Sequence, residues 1–577
     1  MSQQDSVTGK ALQLKVPLVI GVTGHRDLVG DELPLVRQRV HELFEFFATE
    51  YPDLPLLVMT PLAEGADRLV AEVARELGLP VIVLLPMPRA LYQSDFLGES
   101  RAEFDAMMEL GEIVELPLVA GNSVEAVVAG GRARDLQYAQ LGAYLAAHSH
   151  ILLALWDGKP SEGSGGTGHV VDFHQHDVIE LIAEGQHRSP IDFAEDESDL
   201  VFHIACSRKI GGSLADALQP GDAQWFTRDD VNPRTDDMPE RYRVVFRRMR
   251  EFNSDLDRKP ETQEQFPLMN PEQLAKLSEA AQDIEVLYRR ADFLARRFQK
   301  LSRRSQLLSQ AVAICAMLSF IVWADLPDQA EMIYPYLFFI LMAMIVIYVE
   351  RRGGWQRKYL DYRVLAEGLR VQFWWCVGGV AMENPSRFSH DRFLRQQDLE
   401  LGWIRNVMRY AGHRADAQLG TEDHVDTGLV VREWVNEQTD YYREKSKERY
   451  TSDKLTSALV FVTIGAGLII ALGFAVFPFQ IVSPWSYLLI ALMGLFPFLA
   501  TVRQGYANRN ADRELITQYG HQYRIFANAN RMLASTEGID DQRDILRALG
   551  ESALDEHGQW LLCQRERPVA GQVLQGG

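Results

Sequence analysis

Upstream of residue 215, short apolar runs alternate with segments whose apolar residues recur at helical spacing. PLVIGVTG leads into LPLVRQRVHELFEFF, and LPLLVMT is followed by ADRLVAEVARELG and then by LPVIVLLPMP. Two later runs, ILLALWDG and DLVFHIACSR, repeat the apolar pattern. Buried strands that alternate with helices are typical of a parallel sheet covered by helices on both faces. The pattern therefore predicts an N-terminal α/β domain with a parallel sheet.

The pattern changes after residue 300, where four long stretches carry no charged residue. Each is close to the ~20 residues with which a helix crosses the hydrocarbon core of a bilayer. Buried helices of soluble proteins rarely run this long without a charge. We therefore expect four transmembrane helices, joined to long cytoplasmic helices. The predicted spans are residues 305–324, 332–349, 455–477 and 483–502.

Basic residues flank these spans on one side only. Lys and Arg cluster before the first and third spans and after the second and fourth, whereas the hairpin loops DLPDQAE and PFQIVSP carry neither. By the positive-inside rule, both termini and the chain between the hairpins are cytoplasmic. The N-terminal MSQQDSVTGKALQLK lacks the apolar core of a cleaved signal peptide. A multi-pass membrane protein with the lipid bilayer as a partner is expected.

The two span pairs have similar surroundings. Each is preceded by a basic helix and followed by a long amphipathic helix, which indicates an internal repeat. The helix entering the first span also carries a heptad seam, which suits either helix pairing beneath the membrane or packing on its own chain. The expected organisation is the α/β domain at 14–255, a linker at 256–273, a first two-span module at 274–385, a connector at 386–430, a second module at 431–540 and a C-terminal tail at 541–577.

Charge and cysteine content narrow the partners. The formal net charge of −20 argues against nucleic acid, because binding to phosphate backbones needs a basic face. The four cysteines are far apart and form no CxxC pair, as expected in a reducing cytoplasm. No metal pattern such as HExxH is present, so a structural or solvent role is expected for the histidines between residues 148 and 176.

Three glycine-containing turns follow predicted strands. Ligands of parallel α/β sheets bind beyond the carboxyl ends of the strands, where glycines let the backbone approach an anion and helix N-termini attract it. Each turn could also be a plain strand-to-helix connection. The candidate ligand-binding residues are Gly21, Thr23, Gly24, His25 and Arg26 in the first turn, Glu64, Gly65, Ala66 and Asp67 in the second, Gly165, Gly166, Thr167 and Gly168 in the third, and Asp157 after ILLALW.

These motifs carry a resemblance to a known family. GVTGHRDL, LAEGADRLVA, ALWDG and GGTGHVVDF, in this order, resemble the SLOG domain. That Rossmann-like superfamily includes the DNA-processing protein A fold, the lonely-guy nucleotide phosphoribohydrolases and the N-terminal domain of melastatin-type TRP channels. The remainder resembles the SLATT-type two-helix membrane effectors that bacteria place beside SLOG sensors in antiphage systems, here present twice. The resemblance implies the bacterial inner membrane and a homo-oligomer.

The resemblance leaves binding and catalysis open. Lonely-guy enzymes use a PGGxGTxxE loop whose Glu works with an Arg on the N-glycosidic bond. In this chain Asp172 stands at the Glu position, and Arg101 is the candidate Arg. Shortening Glu to Asp withdraws the carboxylate by about a methylene, and reacting geometries are sensitive to shifts of ~1 Å. A binding domain without catalytic residues is therefore favoured.

The leading hypothesis is a membrane sensor-effector without a cofactor. Its cytoplasmic domain would bind a nucleotide signal that is ADP-ribose-like, NAD-derived or cyclic, and its membrane modules would form a pore or disrupt the bilayer in antiphage defence. The alternatives are a membrane-tethered nucleotide phosphoribohydrolase and a ligand-independent membrane scaffold.

Overall fold

A computed structural model gives the fold of most of the chain. The chain divides into two compact units, Met1–Arg290 with Glu367–Thr427, and Ala291–Ala366 with Gly428–Gly577. The structure describes residues 15–160, 166–176, 200–210, 214–215, 218–227, 234–257, 266–325, 330–381, 388, 390, 393, 399–417, 425–477, 485–509 and 512–565.

The first unit contains a seven-stranded sheet in the order β4-β3-β2-β1-β5-β6-β7. All neighbouring strands are parallel except β6 and β7, which are antiparallel. The sheet confirms the predicted N-terminal α/β fold, with two further edge strands, β4 and β7, that the apolar pattern did not mark. The strands are β1 (Leu18–Gly24), β2 (Leu56–Thr60), β3 (Val81–Leu85), β4 (Glu112–Glu115), β5 (Ile151–Trp156), β6 (Val201–Ala205) and β7 (Ala223–Phe226).

Helices connect the strands of the sheet. The described helices up to the end of the α/β region are α1 (Leu33–Glu50), α2 (Ala66–Glu76), α3 (Arg89–Tyr92), α4 (Gly98–Met107), α5 (Val124–Ala129), α6 (Arg132–His148), α7 (Thr167–His176) and α8 (Glu240–Asp257). Short 3-10 turns lie at Gly30–Glu32, Gln93–Asp95 and Met108–Leu110.

Strands are added to the sheet on both sides of β1. The chain goes outward from β1 to β4 and then returns to β5, which pairs with the other edge of β1 through Gly24 and Leu155. Because parallel crossovers are right-handed, reversing the direction places the two sets of helices on opposite faces. In β1, Leu18, Val19 and Ile20 are consecutive and all at most 1% exposed, as expected for a strand covered on both faces.

Part of the predicted connector belongs to the first unit. After α9 (Pro271–Leu274), α10 (Glu279–Asp325), α11 (Ile333–Gly353) and α12 (Trp355–Gly378), the chain forms α13 (Gly402–Ala417). Trp403, Ile404, Val407 and Met408 of α13 are at most 1% exposed. This helix packs on α6, α8 and β4, so it is part of the core around the sheet.

The second half of the chain repeats an order of helices. After a short α14 (Thr427–Val430) and a π-helical turn at Val431–Asn436, it forms α15 (Glu437–Val476), α16 (Trp485–Arg509), α17 (Asp512–Ser535) and α18 (Ile539–Arg565). Helices of 47, 21 and 24 residues in α10 to α12 correspond to helices of 40, 25 and 24 residues in α15 to α17. The order of a long helix, a span-length helix and a 24-residue helix therefore occurs twice.

Four helical segments among the described residues are long and apolar enough to cross a membrane. The most apolar 18-residue window of each is at most 22% buried. Large apolar side chains such as Phe461 and Ile469 are 81% and 71% exposed, far beyond the scattered apolar residues of a soluble surface. The chain therefore has the character of a membrane protein. The segments are Glu279–Ala324, Ala330–Gly378, Thr427–Val476 and Trp485–Gly505, and they contain the cores of the four predicted spans.

The heptad seam of α10 is used within the chain. Ala280, Ile284, Ala291 and Leu294 on this seam are all fully buried. In the second unit, Phe298 lies 5.7 Å from the ring of Tyr362 on α12, measured between centroids. Packing on the chain itself, the second of the two predicted uses, therefore accounts for most of the seam.

Candidate functional site

The candidate site lies at the carboxyl ends of β1 and β5, the two parallel strands between which the strand order reverses. The backbone amide of His25 donates to the carbonyl oxygen of Leu155 at 3.0 Å. The amide of Asp157 in turn donates to Nε2 of His25 at 3.0 Å. Burial lowers the pKa of His25, which favours the neutral imidazole that this bond requires. His25 thus bridges the carboxyl ends of β1 and β5, the edge at which ligands of doubly wound sheets bind.

The first two predicted turns are brought together by close backbone contact. The amide of Ala66 donates to the carbonyl oxygen of His25 at 3.0 Å. Gly65 has a φ of +79°, and a Cβ there would collide with the carbonyl oxygens of His25 and Arg26. This position therefore requires glycine for both conformation and space.

The glycines of β1 serve packing within the domain. A Cβ on Gly24 would collide with the Cβ of Ala66 and lie 2.9 Å from the carbonyl oxygen of Leu155. A Cβ on Gly21 would collide with the side chain of Ser149. Thr23 is 7% exposed on the same strand. The close approach that the sequence suggested for a ligand is thus taken, at Gly21 and Gly24, by the chain's own atoms.

Asp67 is a buried carboxylate at the start of α2. Its residue is 3% exposed, and Oδ2 accepts from the amide of Ala63 at 3.2 Å. Oδ1 is buried without a hydrogen-bond partner among the described residues. Burial raises the pKa of Asp67 to about 7, against the opposing charges of Arg26 and Arg68. An unpartnered buried carboxylate oxygen is costly, and a ligand hydroxyl could supply the missing donor.

Arg26 is exposed and lies beside the ring of Tyr138, a residue that the sequence did not mark as part of the site. Its guanidinium carbon lies 5.7 Å from the ring centroid of Tyr138. The Tyr138 hydroxyl donates to Asp95, which pairs with Arg134 at 2.5 Å. Arg134 and Tyr138 are four residues apart on α6, and therefore on one helix face. That spacing was the only signal, because Asp95 comes from a distant 3-10 turn.

Glu64 is held by a neighbouring helix. Its Oε1 accepts from the hydroxyl of Ser100 on α4. Arg68 donates to the same hydroxyl at 3.1 Å and to Glu103 at 2.5 Å. Two strands, β2 and β1, separate the strands that precede Arg101 on α4 and Asp172 on α7. Both of these side chains are exposed.

The third predicted turn opens α7. Thr167 and Gly168 are buried at its start, Gly166 is half-buried, and Gly165 lies outside the described residues. Val170 of α7 packs close to Gly142 of α6. A Cβ added to Gly142 would lie 3.0 Å from Val170 Cγ2. The third turn thus lies at the start of the helix that follows β5, and β5 is the strand next to β1.

Asp157 organises the turn after β5. It is 5% exposed, and its Oδ1 accepts from the amide of Lys159 at 3.1 Å. Its carbonyl oxygen accepts from the amide of Ala215 at 2.8 Å. Oδ1 also lies 3.3 Å from Nε2 of His25, and the amide bond from Asp157 to that nitrogen joins the turns after β5 and β1.

The geometry thus gathers His25, Arg26, Gly65, Ala66, Asp67 and Asp157 at one edge of the sheet, with Arg26 exposed and Asp67 buried. Comparison with known protein families, curated proteins and solved structures finds no match to this chain. Its own residues therefore carry the functional argument.

Proposed function

We propose that the α/β domain binds a nucleotide at the β1/β5 edge and that the apolar helices respond to it in a membrane. The unpartnered Oδ1 of Asp67, close to the charge of Arg26, is the observation that carries this proposal. A ribose hydroxyl would donate to that oxygen, and Arg26 would bind phosphate or, with Tyr138, stack on a base. This is the chemistry of an ADP-ribose-like, NAD-derived or cyclic nucleotide.

In the first unit, one arginine pairs with two carboxylates, and this ion-pair network supports transmission of a binding signal to the membrane helices. Arg414 on α13 donates through Nε and Nη2 to Glu112 of β4 at 2.5 and 2.8 Å. Its Nη1 donates to Asp283 of α10 at 2.6 Å. Because α10 continues from Asp283 into the first membrane-length segment, one guanidinium joins the edge of the sheet to a membrane helix. Bidentate geometry makes this link directional.

The proposed response is a pore or a disrupted bilayer, in a homo-oligomer in a bacterial inner membrane with cytoplasmic termini. A role in antiphage defence rests on the resemblance to SLOG and SLATT proteins. Ligand binding can shift such a response only if the two states differ in affinity for the ligand.

The test uses the full-length protein in detergent and in liposomes. Calorimetry with ADP-ribose, NAD and cyclic dinucleotides should find one that binds. Arg26→Ala removes a charge-assisted contact of ~1.5 to 3 kcal/mol, which weakens binding roughly ten- to over a hundredfold. Arg75→Ala, an exposed arginine near the other end of α2, is the matched control. Gly24→Val is less informative, because it collides with the protein's own atoms.

Leakage of a dye from liposomes gives the second readout. Wild type and Arg75→Ala should leak at ligand levels at which Arg26→Ala does not. Leakage without ligand that Arg26→Ala leaves unchanged would favour the scaffold or a constitutive pore. Release of free base from a nucleoside monophosphate, lost in Asp172→Asn, would instead establish the phosphoribohydrolase.

A further inference from the structure

A second cluster of polar side chains lies in the first unit, on α6, α13 and the segment before α13. It consists of His148, His390 and Asp416, and one donor atom of each lies within 4.8 Å of the other two. The two histidines are 1% and 0% exposed, and the Asp416 side chain is 6% exposed. Polar groups buried this deeply need defined partners.

Backbone carbonyls orient both imidazoles. Nδ1 of His148 donates to the carbonyl oxygen of Tyr144 at 2.9 Å. Nε2 of His390 donates to the carbonyl oxygen of Ala147 at 3.1 Å. Because a carbonyl oxygen can only accept, each of these nitrogens carries the proton of its ring. In the neutral rings, lone pairs then lie on Nε2 of His148 and Nδ1 of His390. This is the arrangement that second-sphere carbonyls impose on metal-binding histidines.

The lone pair of His148 points at a carboxylate. Its Nε2 lies 3.0 Å from Oδ2 of Asp416. Two acceptors at this distance repel unless a cation or a proton lies between them. A proton would give an imidazolium–carboxylate pair, whereas a metal ion would also use the lone pair of His390.

We propose that His148, His390 and Asp416 bind a zinc ion. Two imidazoles and a carboxylate are ligands that zinc prefers, with a fourth position left for water or another ligand. Bond lengths of ~2.0 to 2.1 Å place tetrahedral ligand atoms roughly 3.3 Å apart. The His148–Asp416 distance already fits, and the third donor, within 4.8 Å of the other two, reaches the ion by a shift of at most about 1.5 Å.

The ion would have a structural role. It ties the end of α6, just before β5, to the end of α13, two residues after the arginine that contacts Glu112 and Asp283. His148 and Asp416 are 268 residues apart, so no spacing motif in the sequence could show the site. The sequence analysis expected a structural or solvent role for the histidines between residues 148 and 176, and this proposal gives His148 a metal instead.

The first measurement is the zinc content of the full-length protein, purified in detergent through a tag without histidine. About one zinc ion per chain is expected by mass spectrometry of the metals. Asp416→Asn keeps a side chain that can hydrogen-bond to His148 but removes the charge, and it should weaken zinc binding at least ~10- to 100-fold. His390→Gln should do the same.

His150→Gln is the matched buried control. Nδ1 of His150 accepts from the amide of Val19 at 3.0 Å, and Nε2 donates to the carbonyl oxygen of Asn406 at 2.9 Å, so neither can bind a metal. This variant should lose stability yet keep its zinc. Its zinc content therefore separates loss of a ligand from general loss of packing.

Thermal unfolding gives a readout that does not depend on recovering the metal. A chelator should lower the Tm of the wild type, Zn²⁺ but not Mg²⁺ should restore it, and Asp416→Asn should show neither effect. Less than about 0.1 zinc per chain after zinc is added, together with a Tm that the chelator leaves unchanged, would overturn the proposal in favour of the shared proton.

Discussion

Apolar residues have opposite surroundings in the two halves of this molecule. In the sheet, Ile20 and its neighbours are at most 1% exposed, whereas Phe461 on α15 is 81% exposed. The local sequences, VPLVIGV and ALVFVTI, are similar in composition. Run length separates them, because a strand of seven residues must be covered by protein, whereas an uncharged helix of about twenty can be covered by lipid.

Truncation of Ile20 and Phe461 should give the largest difference. Ile20→Ala leaves a cavity in the sheet core and should lower the free energy of unfolding by ~2 to 5 kcal/mol. Phe461→Ala removes a side chain that touches little protein, so we expect a change within about 0.5 kcal/mol. Urea unfolding in detergent measures the change in the free energy of unfolding for both variants. Hydrogen exchange of the β1 amides reports on the Ile20 variant in addition. Equal losses would mean that the α15 face is covered by protein.

Asp67 should make the stability of the α/β domain depend on pH. Its folded pKa of about 7 is above its ordinary value, so the folded state binds more protons between about pH 4 and 7 and stability falls as pH rises through that window. Asp67→Asn should remove this slope and gain up to roughly 4 kcal/mol relative to wild type at pH 8. Unfolding curves at pH 5 and 8 test this, and a ligand that donates to Oδ1 should protect only the wild type.

Two glycines of α15 separate packing within the chain from packing elsewhere. A Cβ on Gly467 would lie 3.3 Å from Pro497 of α16, whereas one on Gly465 would meet nothing within 4 Å. Gly467→Leu should therefore cost ~1 to 3 kcal/mol by overpacking, and Gly465→Leu should leave the stability of the chain unchanged. Thermal unfolding in detergent gives both values. Loss of liposome leakage in Gly465→Leu alone would identify its face as a contact between chains.

The Arg414 ion pair should have the smallest effect on stability. Although burial acts in the opposite direction, the nearby His413 and the hydrogen bonds from Arg414 lower the pKa of Glu112 to about 2. Its contribution is therefore present above about pH 4.5 and lost as pH falls toward 2. Since the side chains are about a third exposed, Arg414→Ala should cost only ~1 kcal/mol at pH 7 and less at pH 3. A double-mutant cycle with Glu112→Gln checks that the loss belongs to this pair.

Local patterns were sufficient where one segment decides its own structure. Runs and periodicities of 5 to 25 residues predicted five strands, the helix that begins at the third turn and the cores of four membrane-length helices. β4 and β7 were missed because each has only four residues and lies at an edge. Membership of the SLOG and SLATT families, the ligand and the membrane topology stay predictions.

The candidate site was predictable only in outline. The turns could be placed at one edge of the sheet, because the carboxyl ends of parallel strands meet there. Three features depend on side chains from separate segments. They are the packing of Gly24 on Ala66, the buried Asp67 oxygen that has no partner among the described residues, and the position of Tyr138 beside Arg26. No periodicity of one segment contains those contacts.

The sequence by itself determined that a parallel α/β domain precedes four helices suited to a membrane, because length, charge and periodicity are properties of contiguous residues. Only the tertiary structure decided that Arg414 meets Glu112 across 302 positions and that His148 meets Asp416 across 268. Such pairs form when the sheet and α13 pack together, since a hydrogen bond requires atoms about 3 Å apart whatever their distance along the chain.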